Sequence, residues 1–390
     1  MARRGPRRIV SALPMVLALA LLAAACRPPG PGVPGPGAGG DGAGHGPTVG
    51  LNEIQVLASH NSYHREPEPT LLSALKGFLG DAANGFEYTH RPLAEELDAG
   101  VRQVELDVFV DDPGGGRYAQ PVLVPALGLE PVDPAMAEPG LKVFHVQEVD
   151  YRSTCPTFVE CLTQLRAWSD DHPGHLPITI QIEAKDDTIP DPGLGFVQPL
   201  PWTGPDFGAF EREIRAVFAD SDIITPGDVK GRSRTLADAV RKERWPTLRE
   251  ARDQVLFVLD DKGAKRDAYR AQVPDVDDRL VFVDVPRTDP DAAMMIVNDP
   301  VGDGDRIRQL VAEGFIVRTR ADADTVQART GDTTMRDAAF ASGAQYVSTD
   351  YVFADPRFGT GYVVDLPGDG AARCNPVNAP KRCDKADLSG

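Results

Sequence analysis

Positive charge is in short supply in this chain. Its 390 residues hold 41 Lys and Arg against 58 Asp and Glu, a formal net charge of −17. Sequence-independent nucleic-acid binding needs a basic footprint, so that class is excluded. The same balance opposes simple electrostatic adhesion to anionic membranes. Cysteine is scarce too, at five residues. Cys26 closes an N-terminal apolar run, and the others fall in two close pairs, Cys155 with Cys161 and Cys374 with Cys383. Neither pair has histidine nearby, which argues against zinc. Local disulfides in an oxidising compartment are the natural reading, with reduced buried cysteines the alternative. The apolar run Ile9 to Ala25 falls short of the roughly 20 residues of a membrane span. Hydrophobic residues still make up 42% of the chain, enough for a sizeable core.

The N-terminus reads as an export signal. Arg3, Arg4, Arg7 and Arg8 precede the apolar run, and Leu22-Ala23-Ala24-Ala25-Cys26 places small residues before a cysteine. Residues 1–25 are expected to be a signal peptide with Cys26 lipidated after cleavage, which anchors the chain to the outer face of a bacterial membrane; ordinary secretion is the alternative. Residues 26–50 are rich in Pro and Gly and read as a flexible tether. Residues 51–365 form the globular part. Residues 366–390 carry the second cysteine pair and read as a stapled tail.

From Leu51 onward, apolar runs alternate with helical patterns. The strand candidates are 54–57, 103–110, 141–146, 178–183, 255–260, 280–285, 316–320 and 346–350. Helical patterns at 93–99, 157–170, 207–219, 236–243, 306–313 and 334–341 lie between most of them. Strands alternating with helices predict a parallel sheet, and eight such units predict a (β/α)8 barrel. An open doubly wound sheet is the alternative. Residues 111–140 are Gly/Pro-rich and lack a convincing helix.

Chemistry in such folds sits at the C-terminal strand ends. His60 and Asn61 follow the first strand. In the second, Val104, Leu106 and Val108 share one face, and Glu105 and Asp107 share the other. The fourth strand repeats the device and ends in Glu183. Two carboxylates on one inward face repel each other and lose hydration, which a cation resolves; a solvated edge face is the plainer alternative. Glu105, Asp107, Glu183 and the Asn61 amide make an oxygen-donor set for one hard cation, Ca²⁺ above Mg²⁺. The third run ends in His145. Two histidines around a cation suit phosphodiester chemistry. His64, His90, His172 and His175 read as core or surface groups, with His64 the least secure for its closeness to His60. Lys185, Arg318 and Arg320 are candidates for an anionic substrate, although salt bridges to the many acids compete for the arginines. Asp350, ending the eighth strand, would accept a hydrogen bond from His60 if the barrel closes.

Together these residues resemble a known family. Ser59-His60-Asn61-Ser62-Tyr63, then Thr89-His90-Arg91-Pro92-Leu93 running to Gly100-Val101-Arg102-Gln103-Val104-Glu105-Leu106-Asp107-Val108, then Val143-Phe144-His145 and Ile180-Gln181-Ile182-Glu183 resemble the bacterial Ca²⁺-dependent phosphatidylinositol-specific phospholipases C. The resemblance spans about residues 51–365. It implies a distorted (β/α)8 (TIM) barrel of the phospholipase C-like phosphodiesterase type. It further implies one Ca²⁺ on Asn61, Glu105, Asp107 and Glu183, and a catalytic pair His60 and His145, with His145 the general acid. Phosphatidylinositol at a membrane surface is the implied substrate, cleaved to diacylglycerol and a cyclic inositol phosphate by a monomer. A glycerophosphodiesterase on the same barrel and a catalytically silent lipid-binding surface protein are the other two readings.

Overall fold

The computed structural model describes residues 49–381, apart from 243, 244 and 369, together with Cys383 and Leu388. The expected signal peptide, Cys26 and nearly all of the tether lie outside the described residues.

Among the described residues ten strands form in chain order: β1 (Ile54–Ser59), β2 (Val101–Phe109), β3 (Lys142–Val143), β4 (Ile178–Lys185), β5 (Val255–Leu259), β6 (Val281–Val283), β7 (Met294–Ile296), β8 (Ile316–Arg320), β9 (Tyr346–Thr349) and β10 (Ala372–Cys374). Eight of them follow one another in the order β6-β5-β4-β2-β1-β9-β8-β7, all parallel. A parallel bridge from Asp284 to Met294 joins the two ends, so the barrel is nearly closed, at a seam of one bridge. Every residue of β1, β2 and β5 is buried, as a parallel sheet wrapped by helices requires. Val104, Leu106, Val108, Ile178, Ile180 and Ile182 join the hydrophobic core.

Two strand expectations are corrected. The run 141–146 is not a barrel strand. Only Lys142 and Val143 are extended, and they pair antiparallel with Phe109 and Val108. β1 stops pairing with β2 at Ala58 and Gln103, which frees that edge of β2 near its C-terminal end, and β3 takes it. The eighth barrel strand is instead β7, whose three residues are too short for alternation to show. No helix covers the β6–β7 connection, and a cavity of about 510 Å³ lies at this seam, floored by Met295, Ile296 and Leu310.

Helices form near the expected runs where caps are present. Thr157 accepts from the Glu160 N–H at the start of the helix Phe158–Asp171, and Thr203 with Asp206 boxes the start of Gly204–Val217. The excursion 111–140 holds one short helix, Leu123–Leu127, and a 3₁₀ turn, Pro134–Ala137. It packs on its own cluster, where Phe109 and Phe144 stack with ring centroids 4.0 Å apart. Both cysteine pairs are disulfides, with Cα–Cα distances of 5.1 Å and 6.0 Å. β10 pairs antiparallel with Ile54–Val56 of β1, so residues of the tail complete the sheet below the β1–β2 contact. No helix among the described residues is long and apolar enough to cross a membrane.

Ile180 is fully buried at the centre of β4, between β2 and β5. Ile180→Ala should cost about 2–5 kcal/mol of stability, read from urea denaturation. A loss under about 1 kcal/mol would contradict a tightly packed wall at this position.

Candidate active site

β1 ends in a turn that carries His60 and Asn61 side by side. Asn61 has a φ of +45°, a left-handed conformation that asparagine tolerates better than most residues. The turn is fastened to β2: the Ser62 N–H donates to the Glu105 carbonyl at 3.0 Å, and the Glu105 N–H donates to Ser62 Oγ at 2.9 Å. The Asn61 side-chain NH₂ donates to the Tyr88 hydroxyl at 3.1 Å. Its Oδ1 is left buried with no hydrogen-bond partner.

Glu105 and Asp107 on β2 and Glu183 on β4 each present an oxygen within 4.8 Å of the others. Strand register does this, because Asp107 lies directly beside Glu183. Asp107 is fully buried and neither of its oxygens has a hydrogen-bond partner. Burial pushes Asp107 up to about 7; Lys185 opposes the rise and Glu183 adds to it. A buried carboxylate without a hydrogen bond, a buried amide oxygen without a donor and two more carboxylates are chemically matched to a hard divalent cation. The set offers neither the imidazole nor the thiolate of a zinc or copper site.

The three candidate substrate-binding cations all sit on carboxylates. Arg318 is buried inside the barrel and donates to Glu105, to Asn298 Oδ1 at 2.6 Å and to Ser348 Oγ at 3.1 Å. Lys185 Nζ lies 3.1 Å from Glu183 and 3.4 Å from Asp107. Burial works against its charge, but Asp107 and Glu183 outweigh burial and hold the ammonium above its usual range. Arg320 donates to Asp350 Oδ2 and to the Asp322 carbonyl, both at 2.9 Å.

The two candidate catalytic histidines carry opposite proton biases. His60 Nδ1 lies 2.7 Å from Asp350 Oδ1. Burial and the Arg320 charge bring His60 down to about 4, against the pull of Asp350. It is therefore neutral at pH 7, with Nδ1–H held by Asp350 and Nε2 left as a lone pair. His145, on the loop after β3, places Nδ1 2.7 Å from Asp150 Oδ2. Burial alone would lower His145, but the bond and charge of Asp150 outweigh it and raise the group. The charge of Glu105 reaches His60 and that of Asp107 reaches His145, so the acid cluster touches both electrostatically.

Among the other histidines, His90 is buried on Glu96 at 2.6 Å, His175 is held by Ser169 and the Leu176 carbonyl, and His172 stacks on Trp168. These are packing roles. His64 differs, because it bonds Asp150, the partner of His145. Asp150 and Tyr88 were not singled out by sequence. They lie in loops, where no alternation marks which way a side chain points, and His64 at i+4 from His60 was the one local hint.

A nearly closed parallel barrel with acids on β2 and β4, one histidine after β1 and a second of opposite bias on the loop after β3 is the frame of a (β/α)8 barrel enzyme of the phospholipase C type. Residues 49–376 match the family described as phosphoinositide phospholipase C, Ca²⁺-dependent, and the chain belongs to that family. A similar solved structure is a calcium-dependent phosphoinositol-specific phospholipase C from a Gram-negative Pseudomonas sp, in complex with myoinositol. It is 17% identical with a TM-score of 0.51, over 84% of this chain and 96% of that one. Another is a Ca²⁺-dependent phosphatidylinositol-specific phospholipase C from Streptomyces antibioticus, 18% identical with a TM-score of 0.49, over 77% of this chain and 95% of that one. No curated protein sequence matches.

The His60 environment gives a direct test. In metal-free protein the His60 ring proton followed by NMR should titrate near pH 4. Arg320→Gln removes a charge that lowers the group and leaves Asp350 to raise it, so the midpoint should move up. A wild-type midpoint near 6.5, or no upward move in the variant, would contradict this electrostatic account.

Proposed function

We propose that this chain is a Ca²⁺-dependent phosphatidylinositol phospholipase C that releases diacylglycerol and a cyclic inositol phosphate. The observation that carries the reading is the buried Asn61 Oδ1 without a donor and the buried Asp107 carboxylate without a hydrogen bond, Lys185 Nζ standing 3.4 Å from it, beside Glu105 and Glu183 and reached by two histidines of opposite bias. Asn61, Glu105, Asp107 and Glu183 would hold one Ca²⁺, with Mg²⁺ the poorer fit to so many protein oxygens. When bound, the cation supplies positive charge against the phosphate oxygen and the inositol hydroxyl.

The chain's own residues supply the proton transfers. His60, neutral and with a free Nε2, accepts the proton of the inositol 2-hydroxyl as that oxygen bonds to phosphorus. The bond from phosphorus to the glycerol oxygen breaks, and its electron pair stays on that oxygen. His145, raised toward the protonated form, delivers the Nε2 proton to it. Asp350 and Asp150 keep each ring in the tautomer that aims Nε2 at the substrate. Lys185, Arg318 and Arg320 add positive charge around an anionic headgroup. The reaction needs a vicinal hydroxyl, which a simple glycerophosphodiester lacks.

Phe78, Leu79, Leu127, Val159, Leu194, Val301 and Val326 are exposed, and all but Val159, on the helix Phe158–Asp171 after β3, lie in the segment directly after a barrel strand. That distribution supports the site end of the barrel meeting the acyl region of a membrane as a monomer, with lipid-linked Cys26 keeping the enzyme at the outer face of the cell after export.

³¹P NMR of phosphatidylinositol vesicles should show a cyclic phosphate signal with Ca²⁺ and none with excess chelator. His145→Ala should lower the rate by about 10²–10⁴-fold. Full turnover in chelator would refute the metal assignment. Phe78→Ser should weaken vesicle cosedimentation while leaving turnover of a soluble inositol phosphodiester intact; unchanged cosedimentation would remove Phe78 from the membrane face.

A further inference from the structure

One buried carboxylate serves two histidines. Asp150 is fully buried. It receives His145 Nδ1 at 2.7 Å on Oδ2, and His64 Nε2 at 2.9 Å on Oδ1 and 2.8 Å on Oδ2. The three groups bond to one another directly, and their ligand atoms lie within 4.8 Å of one another. A carboxylate only accepts, so both ring nitrogens facing it donate. His64 Nδ1 is buried without a partner, and the tautomer with its proton on Nε2 leaves no buried donor unpaired. The His64 ring is itself fixed. It stacks on Tyr88 with centroids 4.1 Å apart and meets the His145 ring edge-on at 5.8 Å.

The backbone ties this ring to the rest of the site. The His64 N–H donates to the Asn61 carbonyl at 2.7 Å, and His64 bridges Ser153 on the loop that carries Asp150. The turn holding His60 and Asn61 therefore ends in the side chain that clamps the partner of His145. We propose that His64 is a positioning residue for His145, acting through Asp150. It bonds Oδ1, the carboxylate oxygen that His145 does not use, and reaches Oδ2 as well, which fixes the plane of the carboxylate and so the direction and tautomer of the His145 ring. The charged and titratable groups facing His145 are Asp150, Asp107, Lys185 and His64. His64 is the one among them that reaches His145 through a shared hydrogen-bond acceptor.

This inference rests on the reading that His145 protonates the leaving oxygen, and the test separates the two. His64→Phe keeps a ring against Tyr88 and removes the donor; His64→Gln keeps a donor near the position of Nε2. In ¹⁵N-histidine-labelled protein without Ca²⁺, wild type should show a proton on His145 Nδ1 and one on His64 Nε2. The Phe variant should lose the His145 Nδ1–H signal, and its kcat on phosphatidylinositol should fall by about 10–100-fold with KM unchanged, whereas the Gln variant should stay within about threefold of wild type. An intact Nδ1–H signal and kcat in the Phe variant would overturn the proposal. So would a wild-type spectrum with the His64 proton on Nδ1, a result that stands even if the Phe variant does not fold. A wild type with these ring protons in place but no cyclic product would instead refute the enzyme reading.

Discussion

The structure is organised around one electrostatic problem. Two adjacent parallel strands aim Glu105, Asp107 and Glu183 into one small volume inside the barrel. At about 4 Å and an effective dielectric of about 20, each pair of like charges costs about 4 kcal/mol. A surface salt bridge returns about 0–1 kcal/mol, so surface pairing cannot offset it. The relief has to be local. Arg318 bonds Glu105, Lys185 spans Glu183 and Asp107, and burial pushes Asp107 toward holding a proton. Asn61 Oδ1 still goes without a donor, and Asp107 has no hydrogen bond beside its 3.4 Å ion pair to Lys185. A divalent cation on these oxygens would remove the repulsion in one step.

The histidine bias follows from how two aspartates are shared. Asp350 is divided between His60 and Arg320, and the nearby guanidinium cancels much of what the carboxylate would do for the ring. His60 is left close to pure burial and falls to about 4. Asp150 has no arginine bonded to it; its bonded partners are imidazoles, and its bond and charge outweigh both burial and the opposing Lys185 charge at His145. Similar carboxylate–imidazole contacts thus bias the two rings in opposite directions, and a third charge decides which way each goes.

Much of this was legible in the sequence. The alternation Val104-Glu105-Leu106-Asp107-Val108 and Ile180-Gln181-Ile182-Glu183 set two inward acid faces, and parallel pairing of the two strands brings them side by side. Other features were hidden for physical reasons. β7 is three residues long, below the length at which a period of two can be read. The run 141–146 is apolar enough for a barrel strand, yet only an edge of β2 was open to it. The partners of Arg318 and Arg320 lie 213 and 30 residues away, so whether these guanidiniums face substrate or acid is decided by barrel closure. His64 looked inert because Asp150, 86 residues on, carries no local signal.

The most direct measurement is an anomalous difference map from crystals grown with Ca²⁺. The account predicts one peak inside the barrel, ringed by oxygens of Asn61, Glu105, Asp107 and Glu183. No peak there at millimolar Ca²⁺, or a peak bound by other residues while Arg318 and Lys185 remain on the acids, would contradict it.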